Sequence, residues 1–380
     1  MVSSRLILIA ALACFSDLAP ARPADQPAAN PAENVVLVMI DGLRWQEVFT
    51  GADERYVTKA VGKVEKPEPL LERWHRGTPE ERRETLMPFL WSVVAREGQL
   101  YGNRYKGSTV DITNGRGVSY PGYAEALCGV AEPVIKDNRH IVNPNPTVLE
   151  FLNQHEGFRG RAAAFGSWQT FRFIFRAETC GFPVDDGNGA FTAGAGSPEL
   201  AVLNRVRTEV PYRWSGVAFD ALTVNTAMEW MKVNKPRAVF LGMGETDEWA
   251  HEYDYARYLE AAHLADAYLR RLWEYLQSDA QYAGKTTLMI TCDHGRGDLF
   301  QKDRAWGDHG SGNPGSEHIW LAVIGPGIRR LGERTNTQPI TQSQFASTLA
   351  AAAGLDFSTL QPRAGVPIRD CLPVPPAARP

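Results

Sequence analysis

The chain has 380 residues, 40 basic against 44 acidic, for a formal net charge of -4. With no long basic run, an electrostatic nucleic-acid binder is excluded, and no binding to a nucleic-acid duplex is expected. The length supports a large core, either as two or three domains or as one large α/β unit.

Residues 1–21 open with "MVSSRLILIAALACF", one arginine followed by an apolar run from Leu6 to Phe15, and then Ala19-Pro20-Ala21, which fits an A-x-A cleavage site. This reads as an export signal and predicts a periplasmic or secreted protein, with acylation of Cys14 as the alternative. The run is shorter than the ~20 apolar residues of a membrane span, and no later segment supplies one. Residues 22–33 are rich in proline and alanine without periodicity, a flexible linker to a domain predicted over 34–380.

From Asn34 short apolar runs recur: "NVVLVMI" (34–40), "RAAAFG" (161–166), "RAVFLGMG" (237–244), "TTLMITC" (286–292) and "IWLAVIGPG" (319–327). Helix-like stretches lie between them at 85–97, 146–156, 218–233, 254–279 and 341–354. Buried strands alternating with helices predict an α/β fold, a mostly parallel sheet covered on both faces. Residues 168–216 break the rhythm with "WQTFRFIFR" and the Gly-rich "DDGNGAFTAGAGSP". This insertion is either a roof over a substrate pocket or an edge hairpin with a loose loop. Four cysteines follow the signal, Cys128, Cys180, Cys292 and Cys371, enough for one or two disulfides in an oxidising compartment. Cys292, inside an apolar run, reads as a buried free thiol.

Two sets of residues carry chemistry. In "GVSYPGYAEALCGV" (117–130), Ser119 stands one step before the first turn of a predicted helix. There a serine serves as an N-cap, or as a nucleophile among the free N–H groups that also favour a bound anion. In open α/β sheets ligands bind beyond the carboxyl ends of the strands, and three of the apolar runs end in metal-type ligands. These are Asp41; Asp247 with His251 four residues on, on one helix face; and the adjacent pair Asp293-His294. Oxygen and imidazole ligands together fit zinc, with manganese or iron also compatible. A last ligand comes from His309 or His318 in "WGDHGSGNPGSEHIWLAVIGPG".

These motifs, from "VMIDG" through "DHG" to "TQSQFASTLAAAAGLDF", resemble the alkaline phosphatase superfamily, closest in pattern to its nucleotide pyrophosphatase/phosphodiesterase branch. The resemblance implies a three-layer α/β/α sandwich and two divalent metal ions. One ion would be held by Asp247, His251 and His309, with His318 in reserve; the other by Asp41, Asp293, His294 and the hydroxyl of Ser119. It further implies that Ser119 is a metal-activated nucleophile, that a phosphoseryl intermediate forms, and that the substrate is a small-molecule phosphate ester.

The phosphodiesterase branch resembles Thr-Phe-Pro-Asn at the nucleophile, followed by an Asp-Asn. Asn138, nineteen residues after Ser119, matches the latter, while Gly122 stands where the first asparagine belongs. Tyr123 stands where formylglycine sulfatases resemble arginine, which disfavours that branch. Phosphodiesters are therefore the first expectation. Phosphomonoesters, phosphonates and sulfate esters are the alternatives, and a mutase-type phosphotransferase or a non-catalytic metal-binding protein are further rivals. Arg116, Arg296 and Lys302 lie beside the motifs and are expected as solvated surface charges rather than phosphoryl contacts. Tyr120 and Tyr123 either stack on the substrate or pack the helix onto the sheet.

Overall fold

The computed structural model describes residues 31–298 and 305–372. The expected signal, Cys14, most of the linker and Lys302 lie outside the described residues. An eight-stranded sheet is built from β1 (Asn34–Ile40), β2 (Gln99–Tyr101), β3 (Ala162–Gly166), β4 (Val184–Asp185), β5 (Ala238–Met243), β6 (Thr286–Thr291), β7 (Leu321–Ile324) and β8 (Gly332–Glu333). Its order is β8-β2-β7-β6-β1-β5-β3-β4. Only β7 runs against its neighbours, pairing antiparallel with both β6 and β2. The other pairings are parallel.

Every residue of β1, β5 and β6 is buried. Side chains on a strand alternate between faces, so both faces of the sheet are covered. The helices form two groups. On one side α1 (Ser119–Cys128), α2 (Val148–Gln154) and, late in the chain, the helix Phe345–Ala352 pack on one another and on β1, β3 and β5. On the other lie α3 (Pro198–Glu209), α4 (Asp220–Asn234), α5 (Glu245–His251) and α6 (Tyr255–Ser278). The architecture is a three-layer α/β/α sandwich. None of the described helices is long and apolar enough to cross a membrane.

Four local expectations need correction. The helix expected over 85–97 is present over 88–97, through a wide turn at Leu90–Val94 and a last turn at Ala95–Glu97, and a separate helix, Pro79–Leu86, precedes it, started by a capping box of Thr78 and Glu81. Pro88 drives Met87 out of helical geometry (ψ 68°), which separates the two helices and starts the second at the proline itself. The run at 319–327 divides at Trp320: His318–Ile319 joins a small sheet with Val110–Asp111 and Ile340–Thr341, and only Leu321–Ile324 enters the main sheet.

Residues 168–216 make no edge hairpin. They contribute the parallel edge strand β4 and the helix α3, tied by a two-pronged ion pair with Arg207 Nη1 and Nη2 each 2.6 Å from an Asp185 oxygen. Both partners are 2 % exposed, so removing either would strand a buried charge at a cost of about 3–5 kcal/mol. Finally, the one or two disulfides do not form among the described residues: Cys128, Cys180 and Cys371 are buried free thiols, and so is Cys292, as its apolar run indicated.

Candidate metal centre

The register of three parallel strands puts the ligand-type residues at one level. Ile40 pairs with Met243 on one side of β1, and Met39 with Thr291 on the other. Asp41 N–H donates to Met243 O (2.8 Å), Thr246 Oγ1 donates to Asp41 O (2.5 Å), and Gly42 N–H donates to Asp293 Oδ1 (3.0 Å). Thus the chain leaving β1, the start of α5 after β5, and the turn after β6 are stitched together beyond the carboxyl edge of the sheet.

Two trios of ligand atoms result, each with all its members within 4.8 Å of one another. In the inner trio His294 Nε2 lies 3.3 Å from Asp41 Oδ1 and 3.4 Å from Asp293 Oδ2. In the outer trio His251 Nε2 lies 3.1 Å from Asp247 Oδ2 and 3.0 Å from His309 Nε2. The rings of His294 and His309 stack at 4.0 Å and join the two. His318 is elsewhere, with Nδ1 3.2 Å from Asp298 and Nε2 3.5 Å from Glu317.

The donor set fits divalent cations. His294 Nδ1 and His309 Nδ1 each donate to a backbone carbonyl, of Gly295 and Gly117, both at 2.8 Å. Each ring is thereby held with its Nε2 lone pair toward the centre, the usual device for orienting a histidine ligand. Asp41 Oδ1 and Asp293 Oδ2 are buried oxygens without a hydrogen-bond donor, an arrangement costly unless a cation compensates it. The protein alone shows the same tension in its protonation. Burial raises Asp293 well above the usual carboxylate range, and the neighbouring Asp41 raises it further. Burial disfavours the charged form of His294, but Asp293 and Asp41 outweigh it and push the imidazole up to about 9. Burial and the charge of His294 hold His251 and His309 below the ordinary imidazole value.

Ser119 is the first residue of α1 rather than its cap. Val118 takes the cap position without a side-chain bond, and Ser119 Oγ instead lies 3.3 Å from His294 Nε2. The free amides expected around it are mostly engaged. Tyr120 N–H donates to Asn138 Oδ1 (2.9 Å), Pro121 has none, and Gly122 N–H donates to Val118 O (3.1 Å). Because Asn138 accepts through Oδ1, its NH2 group remains as a donor. Asn138 lines, with Asp41, Ser119, Trp168, Asp247 and His251, a cleft of about 130 Å³. Glu248 also borders it, pushed up to about 7 by burial.

Gly122 has a steric reason. A Cβ there would fall 2.3 Å from Asp293 O, so α1 reaches the inner trio only because this residue has no side chain. Tyr123 and Tyr120 pack instead of facing substrate. Tyr123 OH donates to Asp41 Oδ2 (3.1 Å) with its ring edge-on to Phe171, and Tyr120 OH donates to Ile141 O (2.5 Å).

Arg116 is exposed, as expected, but Arg296 is not. It is 1 % exposed, and its guanidinium binds Asp247 Oδ1 and the carbonyls of Gly42, Asp247 and Gly307. Burial pulls it down to about 9, which leaves it a cation at neutral pH.

Sequence reasoning also passed over Asp220, whose carboxylate accepts from Gly244 N–H (2.7 Å) and Glu245 N–H (3.1 Å) and so holds the start of α5. It likewise passed over Gln342, whose amide donates to Asp293 O (2.8 Å). No local signal marks either residue, since both act across distant segments.

The sandwich with ligand trios at its carboxyl edge defines an alkaline phosphatase-superfamily hydrolase. Residues 55–309 match the type I phosphodiesterase / nucleotide pyrophosphatase family, and the chain belongs to that family. No curated protein matches it by sequence. Solved structures share the fold at low identity. The wild-type alkaline phosphatase PafA aligns at TM-score 0.56 and 11 % identity, over 91 % of this chain and 100 % of that one. BT1596, a 2-O GAG sulfatase, aligns at 0.56 and 13 %, over 92 % and 76 %. The lipoteichoic acid synthase LtaP from Listeria monocytogenes aligns at 0.51 and 11 %, over 85 % and 72 %.

Proposed function

We propose that this hydrolase cleaves phosphodiesters through Ser119, with Asp41, Asp293 and His294 holding one divalent ion and Asp247, His251 and His309 a second, zinc being the best fit to the ligands. The observation that carries this reading is the position of Ser119 Oγ, 3.3 Å from His294 Nε2, in a cleft lined by residues of both trios. Bound ions would lower the pKa of the serine hydroxyl and neutralise charge on the phosphoryl oxygens.

The chain's own residues do the rest. α1 holds the hydroxyl beside His294 of the inner trio, since Gly122 seats that helix on the Asp293 turn. Ser119 Oγ attacks phosphorus as the bond to the leaving oxygen breaks, giving a phosphoseryl enzyme that water then hydrolyses. The NH2 group of Asn138, oriented by the bond from Tyr120 N–H, donates to a phosphoryl oxygen where the helix amides are already engaged. Among the described residues lining the cleft there is no lysine or arginine. From these described residues a dianionic monoester gains no side-chain cation, which favours the singly charged diester.

The test is a kinetic panel on the zinc-loaded protein with bis-p-nitrophenyl phosphate, p-nitrophenyl phosphate, a phenylphosphonate ester and a sulfate ester. The diester is expected to have the highest kcat/KM, and Ser119→Ala to lower it by at least about 10³-fold. Wild-type rates in Ser119→Ala would remove the nucleophile, and a preference for the monoester or the sulfate would remove the substrate class. Residues 1–21 are retained as an export signal, and N-terminal sequencing of the secreted or periplasmic protein is expected to begin near residue 22.

A further inference from the structure

The reaction just described makes no use of Arg296, although it is the one arginine or lysine paired with a residue of the two trios among the described residues. Its guanidinium reaches three separate segments. Nε donates to Gly42 O (3.2 Å), Nη2 to Asp247 O (3.1 Å) and to Asp247 Oδ1, and Nη1 to Gly307 O. Each segment carries a ligand: Gly42 follows Asp41, Gly307 precedes His309 by two residues, and Arg296 itself lies two residues after His294. Gly42 makes room for this knot. It has φ 58°, and a Cβ there would fall 2.8 Å from Asp247 Oδ1 and 2.9 Å from Arg296 Nε.

The two trios are thereby made unequal. The inner one offers two carboxylates and an imidazole, with side chains at most 9 % exposed. The outer one offers two imidazoles and a single carboxylate. Arg296 occupies Oδ1 of that carboxylate and leaves Oδ2 toward His251, whose side chain is 45 % exposed. An ion in the outer site would meet one carboxylate against the inner site's two, and within reach of water, and each of these lowers its affinity.

We propose that Arg296 is the positioning residue of the outer site, presenting Asp247 through one oxygen and tying down the His309 segment, and that the outer site holds its ion more loosely than the inner. This rests on the two-ion reading above. Its consequence is stepwise loading: the inner ion stays with the protein while occupancy of the outer site follows the ambient metal concentration.

The test is titration of the metal-free full chain with Zn²⁺ against a chromophoric chelator, which reads affinity without activity. Two steps are expected, separated by at least about tenfold, and His309→Ala should remove only the weaker one. Arg296→Gln should weaken that step by a further 10–100-fold, roughly the effect of losing a group that orients a ligand, and leave the tighter step within about threefold. Arg296→Lys should recover part of the loss.

Two steps of equal affinity, or loss of the tighter step in His309→Ala, would overturn the proposal. So would an Arg296→Gln protein whose weaker step is unchanged or tightened, or whose two steps fall together, the mark of a general packing role. If Arg296→Gln does not fold, wild type, His309→Ala and Arg296→Lys still decide the matter. Binding of a single equivalent by wild type would instead remove the two-ion reading itself.

Discussion

The inner and outer trios use the same chemistry, carboxylate and imidazole, but the fold supports them differently. Asp41 and Asp293 each sit directly beyond a central parallel strand, and the neighbouring backbones lock their positions through Gly42 N–H and Met243 O. Sheet register places them, and Tyr123 and Gln342 each add one hydrogen bond. The outer trio is assembled from one face of the seven-residue helix α5, through Asp247 and His251, and from His309 in a loop. So short a helix is marginal by itself, and this one is held by Asp220 at its start and by Arg296 at Asp247. Ligands set by register are fixed by the sheet, whereas ligands set by a short helix and a loop need added ties.

The comparison breaks most sharply with paired ligand removals. His294→Ala should abolish diester hydrolysis at any zinc concentration, by at least about 10³-fold, because it removes both an inner ligand and the partner of Ser119 Oγ. His251→Ala should lower the rate by about 100-fold at low zinc and recover partly with added metal, since mass action can refill a weakened site. Equal losses in the two variants, neither responsive to zinc, would erase the distinction. The measurement is kcat/KM against free zinc.

A smaller effect is expected at Gly42. An alanine there is held at positive φ and pressed against the Asp247–Arg296 pair, which should cost about 1–3 kcal/mol and lower the Tm. It should also weaken outer-site zinc binding more than inner. An unchanged Tm would show that the turn relaxes without disturbing the pair. Smallest in its effect on activity is Tyr123→Phe, which removes one hydrogen bond to the Asp41 carboxylate, worth about 1.5–3 kcal/mol. Activity should fall less than tenfold through the inner site, and outer-site affinity should be unaffected.

Much of the layout was legible in the chain. Apolar runs at 34–40, 237–244 and 286–292 coincide with strands to within a residue, because continuous burial leaves a local pattern. The polar residues that end those runs meet, because parallel strands in register end together. The four-residue spacing of Asp247 and His251 does place both on one helical face. Local chemistry overrode periodicity at two points: Pro88 moves the start of the helix expected over 85–97 by three residues, and the capping box at Thr78 starts a separate helix that periodicity did not mark.

What the sequence by itself determined, then, is the set of strands, the ligand-type residues at their ends, and a serine just ahead of a proline in the first turn of a helix. These follow from local patterning. The tertiary structure alone decided that Arg296 is buried against Asp247, that Tyr123 serves Asp41 rather than a substrate, and that Gly122 is a glycine because Asp293 O lies against it. It also decided that four cysteines remain apart. Each depends on segments far apart in the chain being brought within a few ångströms, and neither composition nor spacing records which distant backbone will arrive beside a given side chain.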